Sequence, residues 1–166
     1  MRRMQKESID MAIDAVRQHF KKWNRDGDIL EFEESSATVE LAARALGVEQ
    51  VRIAKTISLK DGDSAILLVV AGDARIQNSK FKAEFKFKPR MLTAEDVLAF
   101  TGHMVGGVCP FGLKNALPVY LDVSLRRFKT VFPAAGSGNS AIELTCEQLE
   151  ECSGSKKWID VCGGWE

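Results

Sequence analysis

Lys55-Thr56-Ile57-Ser58-Leu59-Lys60-Asp61-Gly62-Asp63-Ser64-Ala65-Ile66-Leu67-Leu68-Val69-Val70 holds two kinds of strand around one turn. Lys55 to Leu59 alternates between polar and apolar side chains, the mark of a strand with one face covered. Asp61-Gly62 is a hairpin signal, because Gly adopts the positive φ such turns need. Ser64 to Val70 is apolar almost throughout, so it reads as a central strand buried on both faces. A sheet built on this hairpin is the core of the expected fold.

Working outward, Val51, Ile53 and Ala54 lead into the hairpin, and Ala71-Gly72-Asp73 turns the chain after it. Upstream, Thr38 can cap a helix that runs to Leu46, with Val39, Ala42, Ala43 and Leu46 inward and Gly47 at the C-cap. Ile29 to Phe32 is a short strand. Residues 5–25 predict an amphipathic helix with Ile9, Ala12, Ile13, Val16, Phe20 and Trp23 on one face. Downstream, Thr93 opens a helix through Phe100. Val119–Asp122, Lys129–Phe132, Ala141–Leu144 and Trp158–Val161 read as strands. A short helix lies around Ser124–Arg127, and Thr145-Cys146-Glu147-Gln148 is a capping box for a late helix. Strands and helices mix without strict alternation. The expectation is therefore one α+β domain over residues 1–166, with about seven strands able to curl into a barrel-like sheet.

The bulk numbers narrow the function. The chain has 166 residues, 45% hydrophobic and 28% charged, with 23 Lys plus Arg against 23 Asp plus Glu. A zero net charge argues against a long nucleic-acid footprint, which needs many phosphate contacts, and so against a DNA-binding protein. One end of an RNA remains within reach. No apolar run spans a bilayer and no signal-peptide pattern follows Met1, so a cytoplasmic protein without a membrane partner is expected. Cys109, Cys146, Cys152 and Cys162 should then be reduced, and their spacing does not suggest a zinc site.

Chemistry concentrates in Gly102-His103-Met104-Val105-Gly106-Gly107-Val108-Cys109-Pro110-Phe111-Gly112. Four glycines let backbone approach a ligand closely, while the proline restricts the loop's shape. Successive N–H groups from Gly106 to Pro110 can face an oxygen and stabilise developing negative charge. The alternative is a turn-rich connector. Gly136-Ser137-Gly138 is a second loop of this kind, or a plain turn. Lys55 lies in apolar company and can place its ammonium in a pocket or snorkel to the surface. His103 can serve as acid or base, or order the loop. Cys109 can be a nucleophile or a small buried hydrophobe. Lys80 to Arg90 carries five cations among phenylalanines, which can hold RNA phosphates and bases; the alternative is an amphipathic segment with Phe81 and Phe85 packed inward and its lysines solvated.

The ordered set Thr38…Ala42-Ala43…Leu46-Gly47-Val48, Ile53-Ala54-Lys55-Thr56, Gly102-x-x-x-Gly106-Gly107-Val108-Cys109-Pro110-Phe111-Gly112 and Ala135-Gly136-Ser137 resembles the YbaK/prolyl-tRNA-synthetase-associated editing domain family. The likeness runs from about Gly27 to Val161. It implies a single YbaK-like domain, a mixed, mostly antiparallel β-barrel-like sheet flanked by helices. It also implies a hydrolase that removes wrong amino acids from aminoacyl-tRNA in trans, with no metal or organic cofactor. The resemblance gives Lys55 a contact with the tRNA 3′ end and gives Gly106 to Pro110 the grip on the aminoacyl ester.

Lys55, Gly106 and Gly107 are thus the expected catalytic residues. Gly102, His103, Val108, Pro110, Gly112, Gly136, Ser137 and Phe32 are expected around the substrate, with Val39 and Ile53 as further walls. The partners implied are the aminoacyl-tRNA acceptor end, of the proline type, and a synthetase. The alanine-directed branch of the family carries a histidine in the late loop. This chain reads Gly136-Ser137-Gly138-Asn139-Ser140 there, which leaves the amino acid open. Two rivals stand beside this reading: a non-catalytic module that binds tRNA or a synthetase, and a thiol enzyme dependent on Cys109.

Overall fold

Two strands carry the architecture of the computed structural model, which describes residues 2–166. Strand β2 (Ile53–Asp61) and strand β3 (Ser64–Ala71) form the long antiparallel hairpin, with Lys55 opposite Val70 and Ile57 opposite Leu68. Seven successive residues of β3, Ala65 to Ala71, are at most 2% exposed, as a strand covered on both faces requires.

The sheet grows outward from this pair. β5 (Val119–Asp122) lies parallel to β3, and β9 (Lys157–Ile159) lies parallel to β5. On the other side β6 (Thr130–Pro133) runs parallel to β2 with Ile53 opposite Phe132, and β8 (Leu144–Thr145) closes that edge antiparallel to β6. The order is β8-β6-β2-β3-β5-β9, a mixed six-stranded sheet that curls into a half-barrel. Two antiparallel pairs finish the strand set. β1 (Leu30–Glu31) joins β7 (Ser140–Ala141), and β4 (Arg75–Ile76) joins β10 (Cys162–Gly163).

A parallel neighbour requires a long return path, and the path from β3 to β5 carries two helices and the glycine loop. These helices are α3 (Asn78–Phe85) and α4 (Ala94–Thr101). α4 starts at Thr93, whose hydroxyl accepts from the Asp96 N–H. α2 (Val39–Leu46) starts at Thr38 in the same way and stops at Gly47 in the left-handed region. α5 (Cys146–Ser153) has the full capping box of Thr145 and Gln148.

α1 (Arg2–Phe20) buries Ala12, Ile13, Val16 and Phe20. It stops short of residue 25, because a 3-10 turn over Lys21–Trp23 ends at Asn24 with φ 56°. Strand 141–144 is divided in two. The chain leaves β1 after Ala141 and joins β6 at Leu144, so one segment serves two partners. The final strand also breaks, because the buried Asp122 carboxylate draws the Val161 N–H off the ladder at 3.0 Å.

Candidate active site

Three backbone stretches meet beside the β2 strand. The first, Ser36 to Thr38, leads into α2, and its Ser36 N–H donates to Gly138 O at 2.6 Å. The second is the glycine loop. The third is Gly136 to Ser140, whose Gly136 N–H donates to Gly107 O at 3.2 Å. Gly107 is where the last two touch. A Cβ there would sit 2.7 Å from both Cα and N of Ser137, so no side chain fits. Gly106, with φ 98°, faces Ala37 of the first stretch.

Between these stretches and the sheet lies a cavity of about 290 Å³. Lys55, Thr56 and Ser58 of β2 form one wall with Ile53. Gly106 and Val108 of the glycine loop form another. Val39, Ala42, Phe132, Met91, Leu92 and Val97 make most of the remainder apolar. The size suits a small acyl group; drug-sized ligands occupy roughly 300–1,000 Å³.

Lys55 is the one charged side chain on the lining. It makes no ion pair among the described residues. Burial lowers its pKa; Arg75 lowers it further, while Cys162 and Asp73 act the other way. Asp73 is itself held by Arg127, which keeps its carboxyl below the usual range. The lysine is therefore a partly desolvated cation without a fixed partner, which favours an incoming anion.

The loop's backbone donors divide. Gly107 N–H donates to Met104 O at 3.0 Å and is occupied. The N–H groups of Gly106 and Val108 have no acceptor among the described residues. Gly107 thus supplies close packing, and its two neighbours carry the free donors.

Other expected site residues sit behind the cavity rather than on it. His103 is fully buried and its Nε2–H donates to Phe111 O at 2.8 Å. Cys109, also fully buried, lies 3.6 Å from both that nitrogen and that oxygen. Burial pushes the Cys109 thiol up to about 12 and lowers the His103 pKa. A histidine that donates to a carbonyl cannot also take a proton from the thiol, so this pair ties the loop together and the thiol-enzyme reading falls.

Pro110 is buried and off the lining. Gly112 and Gly136 are contact points for α1. Cβ atoms there would lie 2.6 Å from Ala15 C and 2.9 Å from Ala12 O respectively. Gly102 and Gly112 line a separate, more open hollow of about 600 Å³ between α1 and α4. Ser137 is buried, its hydroxyl bonded to Asn139 and Ser140, and only Ser140 of that trio reaches the cavity. Phe32 stands off the lining too, its backbone paired with Asn139, while Val39 and Ile53 are walls as expected.

Sequence reasoning missed Ser36, Thr56, Ser58, Met91 and Leu92. Thr56 and Ser58 follow Lys55 in the alternating strand, and the polar residues of that alternation were the available signal. Met91 and Leu92 carried none. They arrive because Leu92 N–H donates to Ser58 O and Met91 bridges to Leu59.

Residues 33–152 match the family model described as "Aminoacyl-tRNA editing domain". The chain belongs to the aminoacyl-tRNA editing domain family. The match spans the cap of α2, the hairpin, the glycine loop and the late loop, so it covers every wall of the cavity.

Among relatives, "Uncharacterized protein YwhH" of Bacillus subtilis (strain 168) is 59% identical over 157 residues, 94% of this chain and 100% of its own. The Enterococcus faecalis protein named "Putative Cys-tRNA(Pro)/Cys-tRNA(Cys) deacylase EbsC" is 30% identical over 70% of this chain and 72% of its own. A crystal structure described as "a putative trans-editing enzyme for prolyl tRNA synthetase" superposes with TM-score 0.83 at 27% identity, over 92% of this chain and 98% of that one. The α+β half-barrel is the fold of that editing protein.

Proposed function

We propose that the protein hydrolyses the ester of mischarged aminoacyl-tRNA in trans, on a proline-type tRNA carrying a wrong small amino acid. The observation that carries this reading is one cavity with Lys55 on one wall and the free N–H groups of Gly106 and Val108 on another.

The aminoacyl group occupies the cavity and its carbonyl oxygen accepts from Gly106 and Val108. As a water attacks the carbonyl carbon, negative charge grows on that oxygen, where fixed donors hold it best. Lys55 neutralises the terminal phosphate or ribose. The free hydroxyl of the terminal ribose orients the water, a group RNA supplies and DNA lacks. The ester C–O bond breaks, the leaving ribose oxygen takes a proton, and free amino acid and tRNA remain. No side-chain nucleophile is required. Cavity size then selects the side chain, as a second sieve must when a synthetase pocket discriminates poorly.

The basic stretch from Lys80 joins this reading at the rim. Phe81 is buried in the core with Phe85 and Phe87 against it, and Lys86, Lys88 and Arg90 are exposed just before Met91. In this reading those cations meet phosphates of the acceptor strand.

The test is a panel of radiolabelled aminoacyl-tRNAs, with tRNA-Pro charged with small amino acids. Label is expected to be lost from at least one. Lys55→Ala should slow that loss about 10- to 100-fold, matching the ~1.5–3 kcal/mol of a hydrogen bond to a charged group. Full activity without Lys55 contradicts its role.

A further inference from the structure

The chain has two histidines, and both bind the same peptide unit. His103 Nε2–H donates to Phe111 O at 2.8 Å, and Gly112 N–H donates to His19 Nδ1 at 3.1 Å. This Phe111–Gly112 peptide ends the glycine loop. Gly112, with φ 57°, packs there on α1 at Ala15, one turn before His19. The buried Phe111 ring lies 4.7 Å from the Phe20 ring and 5.7 Å from the His19 ring, centroid to centroid. Upstream, Pro110 and the buried Cys109 join the peptide to Val108, one of the two free donors. Proline restricts that short link, so a shift at Gly112 is passed on to the donors rather than absorbed.

We propose that His19 is a positioning residue of the site: its neutral ring locks the Phe111–Gly112 peptide, and protonation of that ring releases the glycine loop. This rests on the hydrolase reading above, in which the loop grips the carbonyl oxygen. The neighbours dictate the tautomer. Nε2 meets Cys152 O, which only accepts, so Nε2 carries the hydrogen; Nδ1 meets Gly112 N–H, which only donates, so Nδ1 is bare. A second proton goes to Nδ1 alone. It sets N–H against N–H, breaks the lock and leaves the Gly112 donor without its acceptor. His103 differs, because its Nε2–H donates to Phe111 O in either charge state.

Nothing around His19 compensates a positive ring. Lys22 stands on its own side of the fold, just after α1, and repels it. From α5 come the Cys152 thiol, which burial keeps protonated, and Glu151, whose carboxylate accepts from Trp23 Nε1 at 3.0 Å. From the glycine loop come the Phe111 ring, with His103 and the protonated Cys109 behind it. No carboxylate forms an ion pair with His19 among the described residues. Burial lowers its pKa; the Cys152 carbonyl acts the other way, and Lys22 lowers it further. The lock is therefore complete above the ordinary histidine value of about 6.5 and opens as pH falls below it.

The experiment follows hydrolysis of the charged tRNA that loses label, from pH 7.5 down to about 5, with each rate corrected for the ester alone. His19→Phe removes the acceptor. It should lower kcat roughly 10- to 100-fold at pH 7.5 with KM little changed, the scale of a catalytic group displaced by about 1 Å. His19→Asn places an oxygen acceptor at the same number of bonds as Nδ1 and takes up no proton in this range. It should restore part of the rate that His19→Phe loses, and the wild type should lose rate relative to it below about pH 6.5. Protection of the Gly112 amide from hydrogen exchange reads the lock without substrate. It should fall over the same pH range in the wild type and stay level in His19→Asn. An identical acid limb in wild type and His19→Asn, or Gly112 protection indifferent to both pH and His19→Phe, overturns the proposal. A wild type inert on every charged tRNA removes the hydrolase reading and the positioning role with it. An active wild type whose rate relative to His19→Asn does not change with pH removes this assignment alone.

Discussion

Cys109 and Gly107 show how neighbours assign a residue's role. A cysteine 3.6 Å from a histidine looks like a nucleophile and its base, yet the thiol is fully buried and raised to about 12. At neutral pH it holds its proton, and it does not line the cavity. Cys109→Ala should therefore keep ester hydrolysis within about twofold while costing roughly 1 kcal/mol of stability for the lost packing, read from the urea midpoint. Iodoacetamide added to the folded protein should leave activity intact. Gly107 has the opposite profile: its N–H is occupied, but a Cβ there collides with Ser137. Gly107→Ala should force the two loops apart, costing about 1–3 kcal/mol and most of the activity; a fully stable, active variant would refute this packing role.

α1 is the element that most exceeds its sequence signature. Its periodicity announces an amphipathic helix, but not what it covers. Val16 and Phe20 are fully buried, and the backbone at Ala12 and Ala15 lies against Gly136 and Gly112. The helix thus backs both loops of the site without contributing to the cavity of Lys55. Phe20→Ala should cost about 3–5 kcal/mol, a large share of a domain's stability, and lower the thermal midpoint sharply. His19 binds from the same helix. Its Nδ1 accepts from Gly112 N–H and its Nε2 donates to Cys152 O, which requires the neutral ring. Replacing it with Phe should loosen the glycine loop, seen as faster amide exchange at Gly112.

At the scale of the whole molecule, the two histidines set the acid limit. Burial lowers both pKa values, so the unfolded chain takes up protons more readily than the fold. The stabilisation from neutral His19 and His103 is complete above the ordinary value of about 6.5 and is lost as pH falls below it toward the lowered folded values. Urea midpoints between pH 7.5 and pH 5.5 should fall accordingly, and the double replacement by Gln should flatten that part of the curve. The zero net charge acts at the same scale. Binding of tRNA through a few rim cations should show a shallow salt dependence, a log–log slope of about −3 or less steep; a slope near −8 would mean a far larger footprint.

The sequence by itself determined the hairpin, the helix caps at Thr38, Thr93 and Thr145 and the buried central strand. Each of those is a local matter: periodicity, a hydroxyl three residues before an N–H, or a turn that needs Gly. Tertiary structure alone decided which loop donors are left free. Gly106 and Gly107 are chemically identical neighbours, and only contact with Ala37, Met104 and Ser137 separates a free donor from a packing residue. Likewise, Ser36 and Thr56 come to line one cavity only when residues twenty positions apart in the chain close around the same space. Burial and hydrogen-bond satisfaction are properties of surroundings, and a linear chain does not specify its surroundings residue by residue.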